Sequence, residues 1–145
     1  MSGTPDKTLS AAGAVRLEAF IIGLGLLALI LIFQPVSLTL FAVGSGLVVL
    51  AGLLNNLLPL ARAGTKIRSL VTVALVVALI FCAALLVSIA AAHLYGVFFL
   101  KAPDPATTAG KVQLATPPFY MQPLVWGLVF AALCFAAAIA WLRRK

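Results

Sequence analysis

The chain has 145 residues, 64% hydrophobic and 9% charged, with a net charge of +7 at pH 7 and a mean hydropathy of +1.22. Soluble domains carry roughly 45–50% apolar and about 25% charged residues, and a fold of this size cannot hide so much apolar surface. The composition excludes a soluble globular domain, a disordered chain, a disulfide scaffold and a nucleic-acid-binding domain; it points to a chain that lives in a bilayer.

Crossing a hydrocarbon core of about 30 Å takes about 20 apolar residues of helix. In chain order, the first stretch that qualifies extends from Leu17 to Phe33 and halts at Gln34-Pro35. The second covers Val36 to Leu60, with Pro59 at its exit. The third is a long run from Ser69 to Leu100, and the fourth extends from Phe119 to Leu142. None holds an acidic or basic residue in its interior. Strands of a membrane barrel would alternate over about ten residues, whereas these runs are apolar on every face. The expectation is an all-α integral membrane protein: a bundle of four transmembrane helices forming a single membrane domain over residues 1–145.

Proline placement agrees. Pro5, Pro35, Pro59, Pro103, Pro105, Pro117, Pro118 and Pro123 all lie in tails, in loops or within about a turn of a span end. Pro123 falls in the first turn of the fourth span, where a missing N–H costs little. The span centres therefore lack the helix breaks that often build substrate sites in secondary transporters.

Charge sets the orientation. Lys7 and Arg16 precede the first span, Arg62, Lys66 and Arg68 lie between the second and third, and Arg143, Arg144 and Lys145 follow the fourth. Only Lys101 and Lys111 fall on the other side. The positive-inside rule then puts both termini in the cytoplasm. No small-x-small cleavage site follows the first stretch before Gln34-Pro35, so that stretch reads as a retained signal anchor. The alanine- and leucine-rich composition, with no N-x-Ser/Thr acceptor, suits a plasma membrane of the bacterial inner-membrane kind.

The two hairpins differ in their connections. A few residues around Gln34–Ser37 join the first two spans, which makes them antiparallel neighbours. Residues 101–118 join the third and fourth and hold four prolines; they read as a turn-rich outer loop with a short extended piece at Val112–Ala115. The third run exceeds the core thickness, so its helix tilts or its last turns project beyond the membrane.

Few side chains offer chemistry. His93 is the only histidine and lies near the outer end of span three. Intramembrane ionisable groups are functional candidates because they are costly to bury. A sharp reading pairs His93 with Met121 as axial haem ligands; the plainer and favoured one makes His93 an interhelical or headgroup hydrogen-bonding residue. Cys82 and Cys134 lie mid-span and read as small apolar residues, with no C-x-x-C to support redox chemistry. Asn55 and Asn56, about one turn from the inner end of span two, are a polar patch for a ligand on one reading, and hydrogen-bond to a neighbouring helix or interfacial water on the favoured one. Glu18 sits at the inner edge of span one and is expected to stay solvated or pair with a cytoplasmic base.

Helix packing leaves a clearer trace. Small residues recur at helical spacing around Gly46 and Gly52 in span two, Gly96 in span three and Gly127 in span four, joined by Ser45, Ala84, Ser88, Ala92 and Cys134. Such faces let helix backbones approach closely. Tyr95, Phe98, Phe99, Phe119 and Tyr120 mark the outer interface and Trp141 the inner one.

Nothing here resembles an enzyme: no carboxylate pair within the spans, no metal-ligand cluster, no nucleophile with a base in reach. No cofactor is expected. Ion-coupled transport would need a buried carboxylate, and no span centre has one. The expected role is an accessory or scaffold subunit of a larger membrane complex. Its partners would be the lipid bilayer and other membrane subunits or copies of itself, met through small-residue helix faces and the outer loop. A small oligomeric channel or facilitator for an uncharged solute is the alternative, and a haem-binding membrane subunit a further one.

Overall fold

A computed structural model describes residues 7–144; Pro5 and Lys145, which entered the proline and charge patterns, lie outside the described residues. The α-helices are α1 (Ala11–Phe33), α2 (Leu38–Asn55), α3 (Ile67–Phe99), α4 (Thr108–Ala115) and α5 (Pro123–Arg144). Short 3₁₀ turns cover Leu58–Leu60 and Phe119–Met121. Among the described residues the only β pairing is an isolated antiparallel bridge between Thr8 and Lys66. α1, α2, α3 and α5, of 23, 18, 33 and 22 residues, are long and apolar enough to cross a membrane. This is the helical architecture of a multi-pass membrane protein, in two compact units: Met1–Val77 with Ile139–Lys145, and Ala78–Ala138.

In the first unit, α1 begins six residues before the apolar stretch expected at Leu17. Ser10 is its N-cap, with a hydroxyl that accepts from the Gly13 N–H at 3.0 Å. Arg16 and Glu18 are therefore exposed residues on the first turns of the helix, at the edge of its apolar stretch. Hydropathy locates the apolar run; capping locates the helix, and the two differ here by more than a turn.

The turn into α2 is held by one side chain. Gln34 Oε1 accepts from the N–H groups of Val36 (2.8 Å) and Ser37 (2.9 Å), and its Nε2 donates to the Ser37 carbonyl at 2.6 Å. Ser37 then caps α2. This folds α1 and α2 into the expected antiparallel pair.

Their seam has a seven-residue repeat. Ala14, Ile21 and Ala28 are the buried residues of α1, and Gly44 and Ala51 those of α2. Half-buried Leu17, Leu24 and Leu31 on α1 and Leu47 and Leu54 on α2 follow each of these by three residues, giving the a/d pattern of helices packed at a shallow angle. The closest approach is at Gly44, where a Cβ would lie 2.8 Å from Leu31 Cβ and 3.0 Å from the Ile32 nitrogen. Lipid supplies no hydrophobic drive between helices, so this close packing is what such a hairpin gains on forming. The small residues singled out from the sequence, Gly46 and Gly52, are not on the seam: both are exposed, with nothing within 4 Å of a Cβ built there.

α2 ends earlier than Leu60. Asn56 is its C-cap, and the chain continues through the 3₁₀ turn at Leu58–Leu60, where Pro59 is tolerated at the helix start. Gly64, at φ +88°, makes the tight reversal into α3.

In the second unit, α3 continues without a break through Phe99. At 33 residues it is about 50 Å long. The connection after it departs from expectation: α4 occupies Thr108–Ala115, so Val112–Ala115 is helical and not extended. Local capping explains the difference. Asp104 Oδ1 accepts from the Ala106 N–H (2.8 Å), and Thr107 Oγ1 accepts from the Gly110 N–H (3.0 Å). That pair starts a helix which the good formers Ala109, Lys111, Gln113, Leu114 and Ala115 continue. α5 starts at Pro123, four residues after the apolar run begins at Phe119, because Phe119–Met121 forms its own 3₁₀ turn.

Gly44→Leu is expected to destabilise the α1–α2 hairpin by about 1–3 kcal/mol through overpacking, measured by denaturant titration in detergent. Gly46→Leu, two residues away and facing open space, should stay within about 0.5 kcal/mol of the parent.

Candidate functional site

Two places gather the chain's polar groups. The first is a basic end in the first unit. The segment before α1 pairs with the α2–α3 connection: Leu9 N–H donates to Thr65 O (2.8 Å), Gly64 N–H to Leu9 O (2.8 Å) and Ile67 N–H to Lys7 O (3.0 Å). The Arg68 guanidinium donates to the Leu142 carbonyl at the C-terminal end of α5. A cation is favourable there, because the last carbonyls of a helix have no intrahelical partner and carry its negative dipole end. Lys7, Lys66 and Arg68 thus meet Arg143, the next residue after Leu142, at one end of the unit. These bonds tie three chain segments together where the sequence placed most of the positive charge.

The second is a cleft of about 680 Å³ in the second unit. The last turns of α3 supply Ile89, Ala92, His93, Gly96 and Val97; the α3–α4 connection supplies Leu100, Lys101, Ala102 and Pro103. Gln113 of α4 and the stretch from Thr116 to Phe119, with Gln122, close it. His93 is half-buried, its ring 4.6 Å from that of Phe119 and tilted 45° to it. Among the described residues the His93 imidazole, the Lys101 ammonium and the Gln113 amide make no hydrogen bond within the chain. Gln122 Nε2 donates only a long bond, 3.4 Å, to Pro117 O. No acidic residue lines the cleft, and the carboxylate of Asp104 is engaged with its own turn. The cleft offers N–H donors and one positive charge over an apolar floor.

The sequence candidates divide accordingly. His93 and Gly96 line this cleft. Met121 lies in the 3₁₀ turn before α5, is 63% exposed and is not part of the cleft lining. Asn56 turns back onto its own helix, its Nδ2 donating to Gly52 O (3.1 Å) and Leu53 O (3.3 Å), where a neighbouring helix or water was expected to accept. Asn55 and Gly52 line a shallow groove of about 410 Å³ along the α1–α2 hairpin. Gly127 is exposed on α5 with nothing within 4 Å of a built Cβ. Ser45 and Ser88 spend their hydroxyls on carbonyls four residues back, Phe41 O (2.9 Å) and Ala84 O (2.8 Å). Cys82 is buried, Cys134 is exposed, and both are free thiols. Among the described residues no group of three His, Cys, Asp or Glu side chains converges as a metal site.

Sequence reading missed Lys101, Gln113 and Gln122 as cleft residues. The signal available was Asp104 with Thr107, which starts α4 and so brings Gln113 back to the end of α3. Comparison of the chain with protein-family models, curated proteins and solved structures finds no match.

The α4 wall of the cleft depends on a backbone approach: a Cβ on Gly110 would collide with the Asp104 carbonyl oxygen. Gly110→Ala should fray α4 and speed amide exchange at residues 111–115 by about tenfold in hydrogen–deuterium exchange. The α1 and α2 amides should be unaffected.

Proposed function

We propose that this chain is an accessory or scaffold subunit of a larger membrane complex, and that its four helices gather into a bundle with both termini in the cytoplasm of a bacterial-type inner membrane. The observation that carries the subunit reading is the division of labour among small residues. Gly44 and Ala51 are consumed by the α1–α2 seam. A Cβ built on Gly46, Gly52 or Gly127 would meet nothing within 4 Å. Glycine on a lipid-facing surface contributes little packing and weakens a helix by about 1 kcal/mol relative to alanine. Glycines at close-approach spacing suit the backbone of another helix, here one from a partner subunit. The basic end supports the orientation, because Lys7, Lys66, Arg68 and Arg143 sit where the positive-inside rule puts a cytoplasmic surface. The outer connection with α4 is then the surface available to an extracytoplasmic component.

Purification from native membranes in mild detergent, with sizing and mass-spectrometric identification, tests the subunit reading. Larger membrane proteins in fixed stoichiometry are expected, and Gly46→Leu/Gly52→Leu should release them while the α1–α2 hairpin stays folded. A homo-oligomer without other subunits would overturn the reading in favour of a small channel or facilitator. Orientation is tested in a Cys82→Ala/Cys134→Ala background. Thr65→Cys should react with an impermeant maleimide only after the membrane is opened, and Ala109→Cys in intact cells. Reaction of both from one side would contradict the topology.

A further inference from the structure

We propose that the cleft at the end of α3 binds the phosphate headgroup of an anionic glycerophospholipid. Its proximal acyl chain would lie on the floor formed by Ile89, Ala92 and Val97. This inference is independent of the subunit reading and concerns a different ligand.

Three observations carry it. The first is charge: among the described residues Lys101 is the one charged residue lining the cleft, and no carboxylate lines it. The second is donor chemistry. Lys101, Gln113 and Gln122 present N–H groups and His93 an imidazole that can present one, and the first three and His93 share one lining. Among the described residues the side chains of His93, Lys101 and Gln113 have no hydrogen-bond partner. A phosphodiester has two charged oxygens that only accept, so it matches a wall of donors; charge-assisted bonds of this kind are about twice as strong as neutral ones. The third is depth. The cleft lies where the apolar run of α3 ends, beside the exposed aromatic residues Tyr95, Phe98, Phe99 and Tyr120. Aromatic belts of this kind mark the headgroup level. A polar rim over the apolar residues Ile89, Ala92 and Val97 reproduces the headgroup-to-chain transition of a lipid; a free phosphate ion would use only the rim.

Basic residues in the first unit also attract anionic lipid, so the test must localise binding. The full chain in a neutral detergent is titrated with dioleoylphosphatidylglycerol, dioleoylphosphatidylcholine or inorganic phosphate, and retained adducts are counted by native mass spectrometry. One phosphatidylglycerol should be retained preferentially. Lys101→Gln and His93→Leu, made separately, should each weaken that adduct by roughly tenfold with unchanged helical circular dichroism. Lys111→Gln, an equal charge change in the same connection but outside the cleft lining, should leave it intact, as should Arg62→Gln at the basic end. Equal retention of phosphatidylcholine, displacement of the lipid by inorganic phosphate, or equal weakening by Lys111→Gln and Lys101→Gln would each overturn the proposal.

Discussion

A peptide group inside hydrocarbon has no solvent to bond with, so every N–H and C=O of a spanning segment must find a partner within the protein. Helices meet this demand along their length and fail it at their ends, where several donors and acceptors are left over. Much of the local structure of this chain consists of answers to those ends. Ser10, Ser37 and Thr107 accept from the first turns of α1, α2 and α4. Gln34 alone satisfies two N–H groups and one carbonyl in the turn between α1 and α2. At the far end of the chain, Arg68 donates to a terminal carbonyl of α5. Pro59 and Pro123 fall where a missing donor costs nothing.

With the backbone satisfied, side-chain shape decides what packs. The α1–α2 pair uses a seven-residue repeat of small and branched residues, with Ala28 fully buried and Ile21 only 3% exposed. α3 and α5 contrast with it. Cys82 is the one buried residue along the 33 of α3, and large side chains such as Ile80, Val87, Phe130 and Leu133 are exposed. In water such a surface would aggregate; in a bilayer it is the surface that lipid and neighbouring helices cover. The cleft at the end of α3 differs from both, because there polar donors stand over apolar residues.

Hydropathy made four spans legible, since long apolar runs with no charged residue in their interior leave little else to be. The short turn at Gln34–Ser37 made the first hairpin legible too. The packing face was not. Gly46 and Gly52 stand out by spacing, yet the seam passes through Gly44, because a stripe of small residues shows where close approach is allowed without showing which side the neighbour takes. α4 was hidden for another reason. The prolines and threonines that flank it have turn-forming character, and only the local bonding of Asp104 and Thr107 makes a helix start there. His93 was visible as the lone histidine, but its companions Lys101, Gln113 and Gln122 come together only once α4 exists. Function was the least legible, because absence of catalytic groups defines no activity.

Under the proposed subunit role, the small-residue faces left over after the α1–α2 seam forms are covered by protein. The most direct test places a photoreactive benzoylphenylalanine at Gly46 or Gly52, one at a time, and irradiates native membranes. Discrete crosslinks to one or a few other membrane proteins are expected, with none from the same probe at Phe20, an exposed position on α1. Adducts to lipid alone at all three positions would contradict it.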